Sequence, residues 1–332
     1  MLKRLVVAAG LIALLSCAGA RAVERVDSIV KRDRLRCGID TGYPGFAARD
    51  AKGEYVGFEI DICRAIAASL LGSGQKVEFI EVASLRDFRA GDIDVVSRRL
   101  SWSLVREQRA IRFGPVIFYD GQMFLVPRGS DVRAVQQLSG RRICVRHGGF
   151  ETRVASYLQK NRLEVNVKIF ETEERVEAAF YAGLCDAWSG DLTELAAARA
   201  RREPHGQRSR LLPEIISREP LALMLRQDDA RLLSVVQWTV YLLIQAEEQG
   251  IDRSNLEELW RAGLLERRLD ILAGAQPAVG FSADWAYQVL RAVGNYGDIF
   301  ARNLGPGTAV DIDRGLNRLW TEDGLLYAPV MR

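Results

Sequence analysis

The sequence has very little histidine and lacks the common motifs for handling nucleophiles, metals or phosphate. It contains two histidines, His147 and His205, and no His/Cys cluster with the spacing of a metal site. A Walker-type phosphate loop and a Gly-x-Ser-x-Gly elbow are also missing. These absences argue against metal-dependent, nucleotide-dependent and serine-hydrolase chemistry. The sequence therefore favours binding over catalysis.

Long apolar runs are confined to the N-terminus. MLKR, LVVAAGLIALL and CAGARA give a basic segment, a short apolar segment and an Ala-x-Ala site, which predict a signal peptide at 1–22 cut before Val23. The apolar run is shorter than the roughly 20 residues that span a bilayer. Leu14 to Cys17 also resembles a lipoprotein cleavage box, in which Cys17 would be acylated. Either reading predicts a soluble mature domain in an oxidising, extracytoplasmic space.

An excess of positive charge is missing from the mature chain. The full sequence has 46 basic and 43 acidic residues, and the signal segment removes Lys3, Arg4 and Arg21. The balanced remainder gives no general attraction to nucleic acid, so no such partner is expected.

Short apolar runs alternate with helical patterns from Leu35 onward, which predicts βαβ units in a mostly parallel α/β fold. The succession occurs twice, and GDIDVVS in the first half is echoed by GLCDAWS in the second. Two halves of this kind predict two lobes, with 113–127 crossing between them. The expected division is 23–121 for the first lobe, 122–219 for the second, and 220–332 for the rest of the first lobe plus a helical C-terminal extension.

Polar residues that follow predicted strands form a candidate binding site, because ligands of open α/β sheets lie at the carboxyl ends of strands. Asp40 and Tyr43 follow the first strand, although an Asx-type turn with a packed aromatic explains them equally well. Ser101 and Arg106 follow the GDIDVVS strand, and a guanidinium suits a carboxylate because it donates two parallel hydrogen bonds. Asp191 ends a strand of the second half. Together these residues predict a site for the ammonium and carboxylate groups of an α-amino acid.

The sequence resembles the periplasmic substrate-binding proteins of polar amino-acid ABC transporters, and most closely the general L-amino-acid-binding proteins. The motifs that carry this resemblance span nearly the whole mature chain: RCGIDTGYPGF, DAKGEYVGFEIDICRAIAA, SRRLSWSLVRE, FYDGQMFLVP, LLPEIISREPLA, AVGNYGDIFARNLGP and RGLNRLWTEDGLLYAP. The resemblance implies a type II, two-lobed periplasmic binding protein, the Venus flytrap, that buries its ligand on closure.

The resemblance also implies roles for individual residues. The ammonium-binding acids of the family correspond to Asp40 and Asp191, its ligand-side aromatic residue to Tyr43, and its carboxylate-binding pair to Ser101 and Arg106.

Two segments depart from the family pattern. SRRLSWS replaces SRNTTWT, which places Arg99 and Leu100 where Asn and Thr are usual, and RHGGFET replaces a hydroxyl-rich run. Backbone amides at Gly148 to Phe150 can still serve a carboxylate, whereas side-chain hydroxyls are absent there. Arg99 is expected either to lie in solvent or to face the cleft and favour an acidic ligand.

The resemblance implies a monomeric periplasmic protein without a cofactor that hands an L-amino acid to an inner-membrane permease. Two alternatives stay open at this point. One is an orphan or sensory amino-acid-binding protein. The other is a dehydratase on the same scaffold, in which His147 and Glu151 would exchange protons.

Four cysteines remain after signal removal, an even number in an oxidising compartment. Cys37 begins the first strand and Cys63 lies in the helix expected to pack on it, while Cys144 and Cys185 belong to the second half. We therefore predict the disulfides Cys37–Cys63 and Cys144–Cys185, each within one lobe.

Overall fold

A computed structural model describes residues 25–82, 84, 88, 92–107, 111–203, 208–271 and 279–332. The predicted signal segment with Cys17, and also His205, lie outside the described residues. A membrane-crossing helix is absent from the part of the chain that is described, since no helix there is both long and apolar enough.

The first half builds a sheet around a buried helix. Its elements are α1 (Arg25–Arg32), β1 (Leu35–Ile39), β2 (Ala48–Arg49), β3 (Tyr55–Val56), α2 (Phe58–Leu71), β4 (Val77–Glu81), β5 (Val95–Ser97) and β6 (Ile111–Asp120). Helix α2 is apolar on nearly all sides because it is covered by the sheet and by later helices. Gly72 ends this helix in the left-handed conformation, at φ 68°.

The second half repeats the pattern. Its elements are β7 (Gln122–Pro127), β8 (Arg142–Arg146), α3 (Phe150–Lys160), β9 (Asn166–Phe170), α4 (Glu173–Tyr181), β10 (Ala187–Asp191), α5 (Leu192–Arg202) and β11 (Ser209–Leu211).

The chain then returns to the first sheet and ends in an extension. These elements are β12 (Glu219–Arg226), α6 (Ala230–Glu248), α7 (Leu256–Arg261), α8 (Leu265–Arg268), α9 (Trp285–Val293) and α10 (Tyr296–Asn303). The sequence predicts one helical region over 255–272, but the structure interrupts it at Gly263, which has φ 66°. Beyond Asn303 the extension is irregular, apart from 3₁₀ turns at Gly315–Asn317 and Trp320–Glu322.

Two sheets with equivalent strand orders define the two lobes. The first has the order β4-β1-β5-β12-β6 and the second β11-β7-β10-β8-β9. Strands β1, β4 and β5 run parallel in the first sheet, as do β8, β9 and β10 in the second. The strands of the two crossings, β6, β7, β11 and β12, pair antiparallel. The chain passes from β6 to β7 at Gly121 and returns between β11 and β12. The carboxyl ends of the parallel strands carry Asp40 and Arg98 in one lobe, and Arg146 and Asp191 in the other.

The C-terminal extension packs on the first lobe. Helix α9 lies against α2, and Asn317 meets the edge strand β6. The Asn317 side chain accepts a hydrogen bond from the N–H of Tyr119 (2.6 Å) and donates one to its carbonyl oxygen (3.1 Å). The extension therefore occupies backbone groups at the free edge of the sheet.

Both expected disulfides are present in the structure. Cys37 and Cys63 join β1 to α2, with Cα atoms 6.2 Å apart. Cys144 on β8 pairs with Cys185, just before β10, with a Cα separation of 5.7 Å. Each bridge lies within a single sheet-and-helix unit.

Candidate functional site

Asp40 follows β1 and faces two arginines that follow β5. Its Oδ2 atom lies 3.1 Å from Nη2 of Arg98 and 3.2 Å from Nη2 of Arg99. The carboxylate thus has two cationic partners supplied by its own lobe. Any ammonium group that approaches Asp40 has to share it with them.

Arg99 points inward and is held on several sides. Its guanidinium carbon lies 3.0 Å from the centroid of the Tyr43 ring, and its backbone N–H donates to Glu59. Burial alone would lower the pKa of Arg99, but Tyr43, Glu59 and Asp40 outweigh it and raise the pKa above the ordinary value. The Asp40 contact satisfies the charge from within the chain. A buried Arg99 therefore gives no reason of its own to expect a second carboxylate on the ligand.

Glu59 lies beneath this group, in the first turn of α2, with 2% of its surface exposed. Its Oε1 atom accepts from the backbone of Arg99 and from Ser97 Oγ at 3.4 Å. Its Oε2 atom is buried and has no hydrogen-bond donor among the described residues. Burial raises the pKa of Glu59 to about 7, because the charged form loses its hydration.

Asp191 lies in the second lobe, at the end of β10 and the N-cap of α5. Its Oδ1 atom is buried and accepts no hydrogen bond from the described residues. The nearest cation is Arg153, whose Nη2 atom is 3.9 Å away. Burial raises the pKa of Asp191 well above its ordinary value, and the nearby acids Asp120, Glu194 and Glu219 add to the effect.

Two of these acids are themselves buried. Asp120 accepts hydrogen bonds from Thr193 Oγ1 (2.6 Å) and from the N–H of Gly121 (2.7 Å), and burial raises its pKa to about 6. Glu194 pairs with Arg146 at 3.2 Å, while its Oε1 atom is buried and accepts from none of the residues that the structure describes. Burial raises the pKa of Glu194 to about 7. The described residues contain no group of three or more metal-type ligands arranged around an ion. This acidic group suits a hydrogen-bonding cation such as an ammonium.

Phe150 begins α3 between two arginines. The guanidinium carbons of Arg146 and Arg153 lie 4.3 Å and 4.6 Å from the centroid of its ring, and 6% of the residue is exposed. Its carbonyl oxygen accepts from Gln122 Nε2 at 3.2 Å. Phe150 is therefore part of the packed wall of the second lobe.

Gly148 and Gly149 precede α3 in conformations with φ 101° and 100°. The N–H of Gly149 donates to the side chain of Glu151 at 3.0 Å, and Glu151 also contacts Nδ1 of His147 at 3.0 Å. The Glu151 carboxylate thus accepts a hydrogen bond from a backbone amide that the sequence predicts for a ligand carboxylate. The imidazole of His147 is 62% exposed.

Ser101 and Arg106 lie in and after the turn that follows β5. Ser101 is buried and bridges to Leu221 of β12, whereas Arg106 is exposed and donates to the carbonyl oxygen of Ser101 at 2.8 Å. Arg106 therefore stands at the surface of its lobe and is oriented by the residue that the sequence paired with it.

Contacts across the cleft hold the lobes together. The hydroxyl of Tyr43 donates to Glu173 of α4 at 2.8 Å, and Arg201 of α5 donates to the carbonyl oxygen of Gly42 at 2.8 Å. Burial raises the pKa of Tyr43 to about 12, so the hydroxyl keeps its proton at neutral pH. A cavity of about 610 Å³ opens between these segments. These contacts bring α4 and α5 of the second lobe against the loop that follows β1.

Sequence reasoning missed several residues of this cleft. They are Glu59, Arg98, Asp120, Arg153, Glu173, Glu194 and Arg201. Asp120 ends a strand and was open to the reasoning used for Asp40 and Asp191. Arg98 directly follows β5 and was open to the same reasoning, whereas the others lie on helices, so strand ends gave no signal for them.

Comparison with known proteins identifies the family. Residues 35–253 match the family described as bacterial extracellular solute-binding proteins, family 3. The chain is 38% identical to the General L-amino acid-binding periplasmic protein AapJ of Rhizobium johnstonii, over 99% of both chains. It is 36% identical to the Glutamate/glutamine/aspartate/asparagine-binding protein BztA of Rhodobacter capsulatus, over 95% of both chains.

A solved structure supports the same relationship. A periplasmic binding protein from Brucella ovis, with glutathione bound, superimposes with a TM-score of 0.83 at 36% identity, covering 94% of this chain and 100% of that one. The predicted fold class, a two-lobed type II binding protein, is thereby confirmed, and the relatives named here are binding proteins rather than enzymes. The chain belongs to the bacterial extracellular solute-binding proteins, family 3.

Proposed function

We propose that this protein captures a ligand with an α-amino acid group, in the simplest case an L-amino acid, between its lobes and delivers it to an inner-membrane ABC permease. The observation that carries the proposal is the buried Oδ1 atom of Asp191, which has no hydrogen-bond donor among the described residues and lies near two further buried acids. An unpaired buried acceptor is costly, and a ligand ammonium supplies the missing donors.

The carboxylate end of the ligand is assigned to Arg106 and Ser101. The Arg106 guanidinium is exposed and is positioned by its hydrogen bond to the carbonyl of Ser101. Its remaining N–H groups can form the paired hydrogen bonds that a carboxylate accepts. The backbone amides of Gly148 to Phe150 can also bind the ligand carboxylate once the Glu151 side chain moves away from them. Asp40 and Tyr43 then face the ligand side chain.

The relatives narrow the ligand class. AapJ is named for general L-amino acids and BztA for glutamate, glutamine, aspartate and asparagine. The Brucella ovis protein holds glutathione, whose glutamyl end carries a free α-amino acid group. A site that binds mainly through the α-ammonium and α-carboxylate groups accommodates all of these compounds. We place the ligand of the present protein in the same class.

The wider assignments follow the same proposal. Export by a signal peptide at 1–22 would bring the mature protein to the periplasm as a monomer; AapJ and the Brucella ovis protein are both named as periplasmic. The first lobe would comprise 23–121 and 220–332 and the second 122–219, which agrees with the change of sheet at Gly121 and between β11 and β12.

The test is a thermal-shift panel of the twenty L-amino acids and glutathione, followed by calorimetry on two variants and a control. At least one compound should raise the melting temperature of the parent, because it binds only the folded state. Asp191→Asn and Arg106→Ala should each lower the affinity for that compound at least 30-fold, in line with a typical cost of roughly 2 to 5 kcal/mol for one partner of a buried charged pair.

Asp131→Asn is the matched control. It removes one carboxylate of the second lobe whose side chain is 78% exposed and pairs with Arg141, so affinity should not change. Unchanged affinity in Asp191→Asn would reject the ammonium site. No stabilisation by any compound in the panel would reject the proposed function and favour a receptor-linked role.

A further inference from the structure

Arg99 fills a cation-binding cradle that the first lobe builds from Asp40, Tyr43 and Glu59. The Tyr43 ring lies against one face of the guanidinium, and the Asp40 carboxylate accepts from Nη2 at 3.2 Å. Glu59 closes the cradle from below through the Arg99 backbone. An aromatic face combined with carboxylates is the arrangement that recognises a guanidinium or ammonium group.

The backbone at Arg99 has a conformation that favours other residues. Its φ of 51° is in the left-handed region, which Asn and Gly adopt at lower cost than Arg. The neighbouring Arg98 also reaches Asp40, at 3.1 Å, whereas it is the Arg99 guanidinium that lies over the Tyr43 ring. Arg99 thus meets both the Tyr43 ring and the Asp40 carboxylate, at some backbone cost, while the Arg201 guanidinium carbon lies farther from the ring centroid, at 5.8 Å.

The cradle lies where the lobes meet. The other end of Tyr43, its hydroxyl, donates to Glu173 of the second lobe, and the preceding Gly42 accepts from Arg201. The charge of Arg99 also reaches Asp120, at the end of β6 in its own lobe, and Glu194 across the cleft. Burial raises the pKa of Asp120 and of Glu194, and Arg99 partly opposes the rise at both. Asp40 and Tyr43 line the cavity between the lobes, so a side chain that enters it on this side approaches the cradle that Arg99 fills.

We propose that Arg99 is a built-in cation that takes the place of a cationic ligand side chain, so that the protein discriminates against lysine and arginine by prior occupancy and like-charge repulsion. The assignment rests on the proposed function for the ligand class. The cradle itself, however, is a property of the first lobe and can be tested without an amino acid.

The experiment empties the cradle with Arg99→Asn and offers it a small cation. Asn adopts the left-handed conformation readily, so the backbone is preserved. Methylguanidinium chloride at millimolar concentration should bind Arg99→Asn saturably, as seen by ligand-observed NMR and by a thermal shift above that of equal sodium chloride. L-arginine should bind Arg99→Asn at least tenfold more tightly than it binds the parent. Arg99→Gly serves as a second variant if Arg99→Asn does not fold.

Arg98→Ala is the matched control, because it removes the other guanidinium on Asp40 and leaves Arg99 in place. Neither it nor the parent should bind methylguanidinium. Absence of binding in a folded Arg99→Asn or Arg99→Gly protein overturns the proposal, and so does equal binding by Arg98→Ala. Methylguanidinium binding without a gain in arginine affinity overturns the role in selectivity. Methylguanidinium binding while no amino acid binds either protein supports the cradle and counts against the proposed function alone.

Discussion

Glu59 combines complete burial with one unsatisfied oxygen, and this makes the ligand-free protein sensitive to pH. Its folded-state pKa of about 7 lies above the ordinary value of 4.5. The folded state therefore holds a proton that the unfolded state releases. The stabilisation is complete below about pH 4.5 and is lost as the pH rises through 7.

We predict that the free energy of unfolding of the ligand-free protein falls between pH 5 and pH 8, and that Glu59→Gln reduces this fall. A shift of this size corresponds to on the order of 3 kcal/mol for one group. Asp120 and Glu194, with pKa values of about 6 and 7, act in the same direction and keep part of the slope. Urea unfolding at several pH values measures the effect.

Glu78→Gln is the control for this measurement, because it removes a carboxylate on β4 whose side chain is 44% exposed. Its pH profile should match that of the parent. A profile for Glu59→Gln that is as steep as the parent profile would contradict the prediction.

The sequence identified where charged groups stand but not which groups satisfy them. Asp40, Asp191 and Arg99 were placed at strand ends correctly, since a parallel sheet determines that edge. The Arg99 side chain turns back onto Asp40 because the Arg99 backbone is left-handed and because Glu59, on helix α2, accepts a hydrogen bond from its N–H. Spacing along the chain holds no information about such an orientation.

The elements themselves were easier to predict. The apolar pattern of 58–71 coincides with the observed helix Phe58–Leu71 because burial and Gly72 define its limits. The echo between the two halves also has a physical counterpart. Asp94 accepts from the N–H of Arg36 and Asp186 from the N–H of Arg142, both at 2.8 Å. Each aspartate binds the start of the first of the three parallel strands in its lobe.

The two disulfides give a prediction at the scale of elements. They close loops of 26 and 41 residues, for which loop entropy suggests about 3 to 4 kcal/mol each. Replacing Cys144 and Cys185 together with Ser should lower the free energy of unfolding by about this amount. Ligand affinity should be retained, because the bridge lies within one lobe. Urea unfolding and calorimetry measure the two quantities.

The corresponding double replacement of Cys37 and Cys63 provides a comparison in the other lobe. Dithiothreitol should lower the free energy of unfolding of the parent. It should not change that of a variant in which all four cysteines are replaced. Four free thiols, or a bridge between lobes, in a peptide map of the unreduced parent would show the pairing to be wrong.

At the scale of the whole molecule, the two chain crossings between the lobes touch at Gly121. Gly121 lies between β6 and β7, and a Cβ atom there would be 2.8 Å from the carbonyl oxygen of Ser217 on the return crossing, and would also meet Ile215. Gly121→Ala should push the crossings apart and disfavour the closed form. We predict a loss of ligand affinity of about 5- to 30-fold, as expected for a strain of roughly 1 to 2 kcal/mol. Calorimetry measures the affinity, and small-angle scattering measures closure.

Gly114→Ala is the matched variant within β6, where the added Cβ atom would lie 3.2 Å from Val236 of the same lobe. It should reduce stability without changing the difference between ligand-free and ligand-bound scattering. Equal losses of affinity in the two variants would show that the effect at Gly121 is not one of closure.

The hydrogen bonds between Asn317 and Tyr119 also bear on how the molecule is made. Strand β6 is an edge strand, and an unpaired edge is a template for a strand from another chain. The two residues are 198 positions apart, so during synthesis the Tyr119 backbone is complete long before its partner exists. Throughout that interval a second nascent copy can pair with the edge. The C-terminal extension thus ends a period of vulnerability to aggregation, which for a chain exported by the proposed signal peptide lasts until its C-terminus has crossed the membrane and docked.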